Sequence, residues 1–509
     1  MVFNSSPFPW KRVLTVAFTT FMLLAIALLV VVFSPWQGAG RIDANADVTL
    51  PNYFMDGMVL QRDKPINIVG ETSPGTRLTL SVGSPENLSE TTTVADDDGV
   101  FHATLETPPS RLKPYQLTIA SGDTELLSID EVYIGDVFVA AGQSNMEANY
   151  YDYYRESDTS DFVKSNLPDT VSNRNIHFIV AEHDSSSTRS QSSDFPLRSY
   201  CAHHWLTATG SNSEYLGYLP QFFANRILSE HPNIPIGIIQ TAWSGTDIAQ
   251  HMAGGDIYNT HIAPLQDFHI AGILWYQGET DAIFNSTAYR YLYNFSTLIS
   301  QYRQVFDDKR LPFLYVQLAR YQDNRNTQII RQAQLDTLSC AKHPETIGMT
   351  VSIDTDKGTE DSIHPLGKEI IAERMAMQWL AIYDNRTIPS GPIAQSAVRD
   401  GSSAAVVSFV EGTANGLQKL APIRDKSAST NHIAKTTKAP ITGFQVADTD
   451  GVFKDATAVI NSDDTITVTS KNVQNIRQIR YLWNQDPDDE VLLYNSDTLP
   501  ASPFVIEVG

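Results

Sequence analysis

Two short stretches, far apart in the chain, carry the residue types of a nucleophile and its base. Gly142-Gln143-Ser144-Asn145 follows the apolar run Val137-Phe138-Val139-Ala140-Ala141. A glycine there permits a tight strand-to-helix turn, which can push the Ser144 hydroxyl into the open. Asp361-Ser362-Ile363-His364-Pro365 places an imidazole just before a helix, with Pro365 suited to that helix's first position. Asp361 can fold back to accept the Nδ1 proton of His364, leaving Nε2 to draw a proton from Ser144. Taken singly, each stretch has a plainer reading: a serine in a structural turn, an exposed acid with a capping histidine. Two more segments change the balance. Trp243-Ser244-Gly245-Thr246 and Trp275-Tyr276-Gln277-Gly278-Glu279-Thr280-Asp281 also follow apolar runs. The Gly245 N–H and the Gln277 side-chain amide suit the oxyanion of a tetrahedral intermediate. Four such segments at one sheet edge describe acyl transfer through a serine ester.

The elements that must position them can be read next. Apolar runs at 137–141, 236–239, 272–275, 313–316 and 347–351 lack alternation, as strands buried on both faces do. Segments 215–228, 289–306 and 366–382 between or after them have helical spacing. Strand and helix in alternation predict an open α/β sheet with helices on both faces, over residues 131–388. Its ligand site is expected beyond the carboxyl ends of the strands. Residues 48–130 carry short alternating runs, such as Ile66-Asn67-Ile68-Val69, and are expected to form a small β-sandwich domain. Residues 389–509 return to β character. A long insert between the first two apolar runs contains the polar stretch 184–194.

Composition bounds the function. The chain has 509 residues, 42% apolar and 18% charged, with a net charge of −22. That length suggests about three globular domains. The acidic balance argues against a nucleic-acid partner. Two cysteines, Cys201 and Cys340, cannot build a disulfide scaffold, although they could form one bridge. His203-His204 lacks partners at metal-ligand spacing, and neither a metal nor a cofactor is expected.

The segment 13–33 carries no charge and is long enough to cross a bilayer as a helix. Lys11 and Arg12 precede it, which places the tail in the cytoplasm and everything after it outside: periplasm, lumen or cell exterior. Residues 1–47 are thus expected to be tail, membrane anchor and linker. A cleaved signal peptide is the alternative, with an apolar stretch longer than such peptides usually carry. Asn-x-Ser/Thr sequons at Asn4, Asn87, Asn285, Asn294 and Asn385 are too short a motif to weigh much.

These motifs together resemble the sialate O-acetylesterases, members of the SGNH-type serine hydrolases. Residues 142–145 match the nucleophile block, Ser244-Gly245-Thr246 the second, 275–281 the WYQGE block and 361–365 the DxxHP block. The likeness continues in Asp56-Gly57-Met58-Val59-Leu60-Gln61-Arg62, in Ile262-Ala263-Pro264-Leu265 and in Leu499-Pro500-Ala501-Ser502-Pro503-Phe504. The resemblance implies a flavodoxin-like three-layer α/β/α catalytic fold and deacetylation of sialic acids through an acetyl-enzyme. It implies Ser144, His364 and Asp361 as the triad, and Gly245 with Gln277 as the oxyanion hole. Glu279 and Asp281 are expected behind the site, with no chemical step. Ser244 and His251 stand where the family usually has glycine and tryptophan. For the substrate, Trp243 and Tyr276 are candidate sugar walls. So are Trp275 and the tyrosines among residues 150–154, more often packing residues. Arg331, or Arg320, is a candidate for the sialate carboxylate, although either is as readily a structural ion-pairer. A deacetylase of neutral polysaccharides such as xylan would use the same triad. A non-catalytic carbohydrate-binding protein, or a lipase or thioesterase, is a more distant alternative.

Overall fold

The computed structural model describes residues 40–155, 160–181, 195–197, 204–487 and 489–509. The apolar segment 13–33, Asn4, Cys201, His203 and the stretch 184–194 lie outside the described residues. Among the described residues, no helix is long and apolar enough to cross a membrane. Cys340 is an exposed free thiol.

The central sheet is built on β1 (Thr124–Gly142), β2 (Asn173–Val180), β3 (Leu206–Ala208), β4 (Ile236–Gln240), β5 (Gly272–Tyr276), β6 (Phe313–Gln317) and β7 (Ile347–Val351). Their spatial order is β7-β6-β5-β1-β4-β2-β3. All pair in parallel except β3, an antiparallel edge. β4, β5, β6 and β7 are buried along their whole length, which is why their sequences do not alternate. The five expected apolar runs all lie in this sheet. β2, inside the long insert, is an additional strand.

Helices cover both faces. The Phe138 ring meets Phe223 of α2 (Tyr218–Glu230) and Trp379 of α5 (Lys368–Tyr383). Trp275 pairs in register with Ala141, so it points to the opposite face from Phe138. There its ring stacks on Phe295 of α3 (Tyr291–Val305), 5.9 Å between centroids, and α3 packs on α4 (Thr327–Cys340).

β1 is longer than the sheet requires. Its first half pairs antiparallel with Arg111–Ser121, and its second half is the central parallel strand. The expected boundary at 130/131 therefore falls inside one continuous strand. Ahead of it, Ile66–Glu71 pairs with Val100–Leu105 and faces Arg77–Ser84, which pairs with Asn87–Val94. Ile66, Ile68, Leu78, Leu80, Val82 and Phe101 are buried there. The segment around Asp56 fixes the start of the central strand. Arg62 forks onto Asp136 at 2.8 and 3.0 Å, and Gln61 Oε1 accepts the Val137 N–H.

Residues beyond 394 form two four-stranded antiparallel sheets and one three-stranded sheet. They close against the central layer through buried polar contacts. Tyr494 OH donates to Asp354, itself in a bidentate pair with Arg374, and Gln317 Nε2 donates to Ser502 Oγ.

Candidate active site

The strands end together, so the segments following β1, β4, β5, β6 and β7 meet at one edge. Gly142 has φ +127°, and a Cβ there would lie 2.2 Å from the Tyr276 carbonyl oxygen. Only glycine lets β1 turn this sharply against β5. The Gln143 N–H donates to Tyr276 O at 2.9 Å, and Gln143 Oε1 accepts the Gly278 and Thr280 N–H groups. Ser144 opens a one-turn helix, Ser144–Glu147, and is 6% exposed. A first-turn N–H has no intrahelical partner, and the Ser144 N–H donates to no described residue. Nor does the Gly245 N–H, which sits in an exposed turn at φ +73° with open space around its Cα. That turn is tied to the serine: the Trp243 N–H donates to Gly142 O and Ser244 Oγ donates to Glu147.

His364 arrives on the loop between β7 and α5. Its N–H donates to Ser362 Oγ at 3.2 Å, and its buried ring stands edge-on to Tyr153, 6.5 Å away. Asn145 joins this loop to the serine turn. Its Nδ2 donates to Ile363 O at 3.0 Å and to Glu279 Oε1 at 2.5 Å, while its Oδ1 accepts from Lys368 Nζ at 2.7 Å. Two acceptors on one side and an ammonium on the other fix which way this amide points. Lys368 Nζ donates also to Pro365 O and lies 5.5 Å over the Tyr276 ring. The immediate neighbours of Ser144 and His364 are thus hydrogen-bonded to each other.

Glu279 is buried, and burial raises its pKa. The Asn145 hydrogen bond, His364 and Lys368 pull the other way. Its Oε2 has no hydrogen-bond partner among the described residues. Lys368 is the residue whose part at this edge sequence reasoning missed. A signal existed: the helix dipole disfavours a cation in a first helical turn, and α5 begins with this lysine.

Several expected roles do not match these positions. Asp361 is exposed and makes no hydrogen bond with any described residue, so its carboxylate does not reach the His364 ring. Gln277 is fully buried with its donors in use, Nε2 giving to Thr246 O at 3.1 Å and to Asp281 Oδ2 at 2.6 Å. Its Oε1 accepts from Tyr291 OH. Both acceptors require the amide nitrogen on that side, so no donor remains for an oxyanion. Tyr276 and Trp275 are fully buried and cannot form a sugar wall. Arg331 spends its guanidinium on four backbone carbonyls, Leu318, Ala319, Asn484 and Gln485, at 2.6–2.9 Å. It pins the sheet edge to the 484–485 segment and has no fork left for a carboxylate. Arg320 is buried against Asp356, with Glu360 and Asp486 at 3.4 Å. Trp243 remains half-buried, and beyond the serine helix the Tyr150 and Tyr154 rings lie 4.5 Å apart, tilted by 33°, with Tyr154 exposed. His251, in the position of the family's tryptophan, is buried with its ring edge-on to Trp275 and its Nε2 2.7 Å from Thr246 Oγ.

Residues 134–376 match the family model described as a carbohydrate esterase, sialic acid-specific acetylesterase. Residues 134–376 carry the domain of this acetylesterase family. It is similar to mouse sialate O-acetylesterase, 21% identical over 90% of this chain and 94% of that protein. Human sialate O-acetylesterase is 22% identical over 64% of this chain and 69% of its own. A solved carbohydrate acetylesterase from Xanthomonas citri superposes with a TM-score of 0.74 at 29% identity, over 90% of this chain and 99% of that one. With that domain, the chain is a carbohydrate esterase with an α/β catalytic core and flanking sheets.

Proposed function

We propose that this acetylesterase removes O-acetyl groups from sialic acids through an acetyl-enzyme on Ser144. The observation that carries the reading is the Asn145 bridge, which couples the Ser144 turn to the His364 loop beside two uncommitted backbone N–H groups. Ser144 Oγ attacks the acetyl carbonyl while His364 takes its proton. The developing oxyanion is met by the Ser144 and Gly245 N–H groups. Collapse of the intermediate expels the sugar alkoxide, protonated by His364. Water, activated by the same imidazole, then releases acetate and restores the serine. The curated relatives' names support sialate as the sugar. The commitment of Arg320 and Arg331 favours a second reading, a neutral O-acetylated sugar, since neither arginine is left to fork onto a carboxylate. The apolar segment 13–33 supports an anchored enzyme whose catalytic part faces away from the cytoplasm. The test is acetate release from 9-O-acetylated sialic acid and from acetylated xylan, with Ser144→Ala in parallel. Ser144-dependent release from sialate supports the first reading, and release from xylan alone replaces the substrate. No Ser144-dependent release from either overturns the mechanism.

A further inference from the structure

We infer that Asp281 holds the turn carrying Gly245 and so positions an oxyanion donor, given the proposed reading of Ser144 as nucleophile and the Gly245 N–H as donor. A backbone donor serves an oxyanion best when its place is fixed before the charge develops. The Gly245 turn is not fixed from outside, because Gly245 is exposed with open space around its Cα. It is fixed through the residues on either side. Upstream, the Trp243 N–H and Ser244 Oγ tie it to the serine turn, through Gly142 O and Glu147. Downstream, the chain enters a short helical turn, Ile248–His251. The first N–H of that turn, from Ile248, donates to Asp281 Oδ2 at 2.9 Å.

The same oxygen governs a second link. Gln277 Nε2 donates to Asp281 Oδ2 at 2.6 Å and to Thr246 O at 3.1 Å, so the amide that pins Thr246 is itself oriented by Asp281. Thr246 Oγ1 donates to Trp243 O at 2.7 Å, which closes the turn around Gly245. Asp281 is 1% exposed, and a buried carboxylate is costly unless donors meet it. Here the donors come from two segments, Ile248 after β4 and Gln277 after β5. The backbone of Asp281 is held in turn, since Thr287 Oγ1 donates to Asp281 O at 2.7 Å. One carboxylate oxygen thus locks the segment after β4 onto the segment after β5. Without Gln277, Asp281 still keeps Ile248; without Asp281, Ile248 is released and Gln277 loses the group that aims its amide. Asp281 lies behind the turn and acts through the Gly245 N–H, which makes it a positioning residue.

The full chain is assayed with 4-nitrophenyl acetate, whose hydrolysis does not depend on the natural sugar. Ser144→Ala is run first, and its loss of activity secures the underlying reading independently. Asp281→Ala removes the acceptor of both links. It is expected to lower kcat by roughly tenfold to a hundredfold, more than Gln277→Leu does, with KM within about twofold of wild type. Asp281→Asn keeps an oxygen for the two N–H donors and should recover most of that kcat. Trifluoroacetone adds to a serine hydroxyl as a tetrahedral oxyanion, so it reports on the donor itself. Its inhibition constant should weaken in Asp281→Ala by about the same factor as kcat/KM, which a purely structural role would not produce. Thermal unfolding checks that each variant is folded. Should Asp281→Ala not fold, Ile248→Pro takes its place. It deletes the N–H that Asp281 holds, at a first helical position that suits proline after the extended Asp247, and it should lower kcat and weaken trifluoroacetone together. An unchanged kcat in folded Asp281→Ala, a kcat loss with trifluoroacetone inhibition unmoved, or an equal loss in Asp281→Asn overturns the role of Asp281. Activity that survives Ser144→Ala overturns the underlying reading instead.

Discussion

At the scale of single residues, the same side chains that suit a ligand also suit pinning a backbone. Gln277 and Arg331 show it. A buried amide beside a serine reads as an oxyanion donor, and a buried arginine in a sugar esterase reads as a carboxylate clamp. In the fold both are consumed by internal acceptors, and residue type alone does not reveal where a donor's partners lie. The two roles predict different failures. Gln277→Leu strips donors from Thr246 O and Asp281 and should cost about 1–3 kcal/mol of stability for each acceptor left unsatisfied. An oxyanion donor, by contrast, would lower kcat on the order of 10²–10³ without that loss. Urea unfolding of Gln277→Leu should show the stability loss, with kcat reduced less than about tenfold once corrected for folded protein. A hundredfold kcat loss at unchanged stability would return Gln277 to the oxyanion hole. The strand-end positions of Ser144 and His364 were legible because glycine and proline mark such turns in sequence. Asp361 followed from its spacing to His364, and spacing does not fix where a carboxylate points.

At the scale of elements, the strands were legible and part of the rest was not. The runs at 137–141, 236–239, 272–275, 313–316 and 347–351 are apolar because both faces are covered. β2 was hidden by Arg174 and His177 within Asn173–Val180 and by the polar insert around it. α4 was hidden because its buried face includes Arg331, Gln334 and Thr337, which break the apolar stripe of Thr327–Cys340 while bonding to backbone carbonyls. The turn after β1 depends on one position. Gly142→Ala would set a Cβ against the Tyr276 carbonyl at φ +127°. That strain, with the lost β1–β5 approach, should destabilise the chain by more than about 3 kcal/mol. A thermal midpoint close to wild type would show that the turn relaxes without glycine.

At the scale of the whole molecule, buried groups couple stability to acidity. His177 and His251 are held neutral by burial, their pKa values pushed down to about 4 and about 3. Unfolded, each titrates near 6.5, so between about pH 6.5 and 4 the unfolded chain binds more protons and stability falls with pH. Asp281, pushed up to about 6 by burial, works the other way over part of that window. His177→Phe removes one of these contributions. Its stability, measured by urea unfolding at several pH values, should depend less steeply on pH between 6.5 and 4. An unchanged slope would mean that His177 does not stay neutral in the fold. Arg331 works at the same scale, since its contacts to Asn484 and Gln485 tie the C-terminal sheets to the catalytic edge. Arg331→Met should therefore lower stability while leaving KM for an acetylated sugar within about twofold, where loss of a carboxylate clamp would raise KM by tenfold or more.

The central claim is that the acetyl group passes through Ser144. Rapid mixing of the full chain with 9-O-acetylated sialic acid, followed by acid quench and peptide mass spectrometry, tests it at the atom concerned. The account predicts one acetyl group on the peptide carrying Ser144, formed in a burst and absent from Ser144→Ala. Steady acetate release by the wild type with that peptide unmodified at every time, and undiminished in Ser144→Ala, would contradict it.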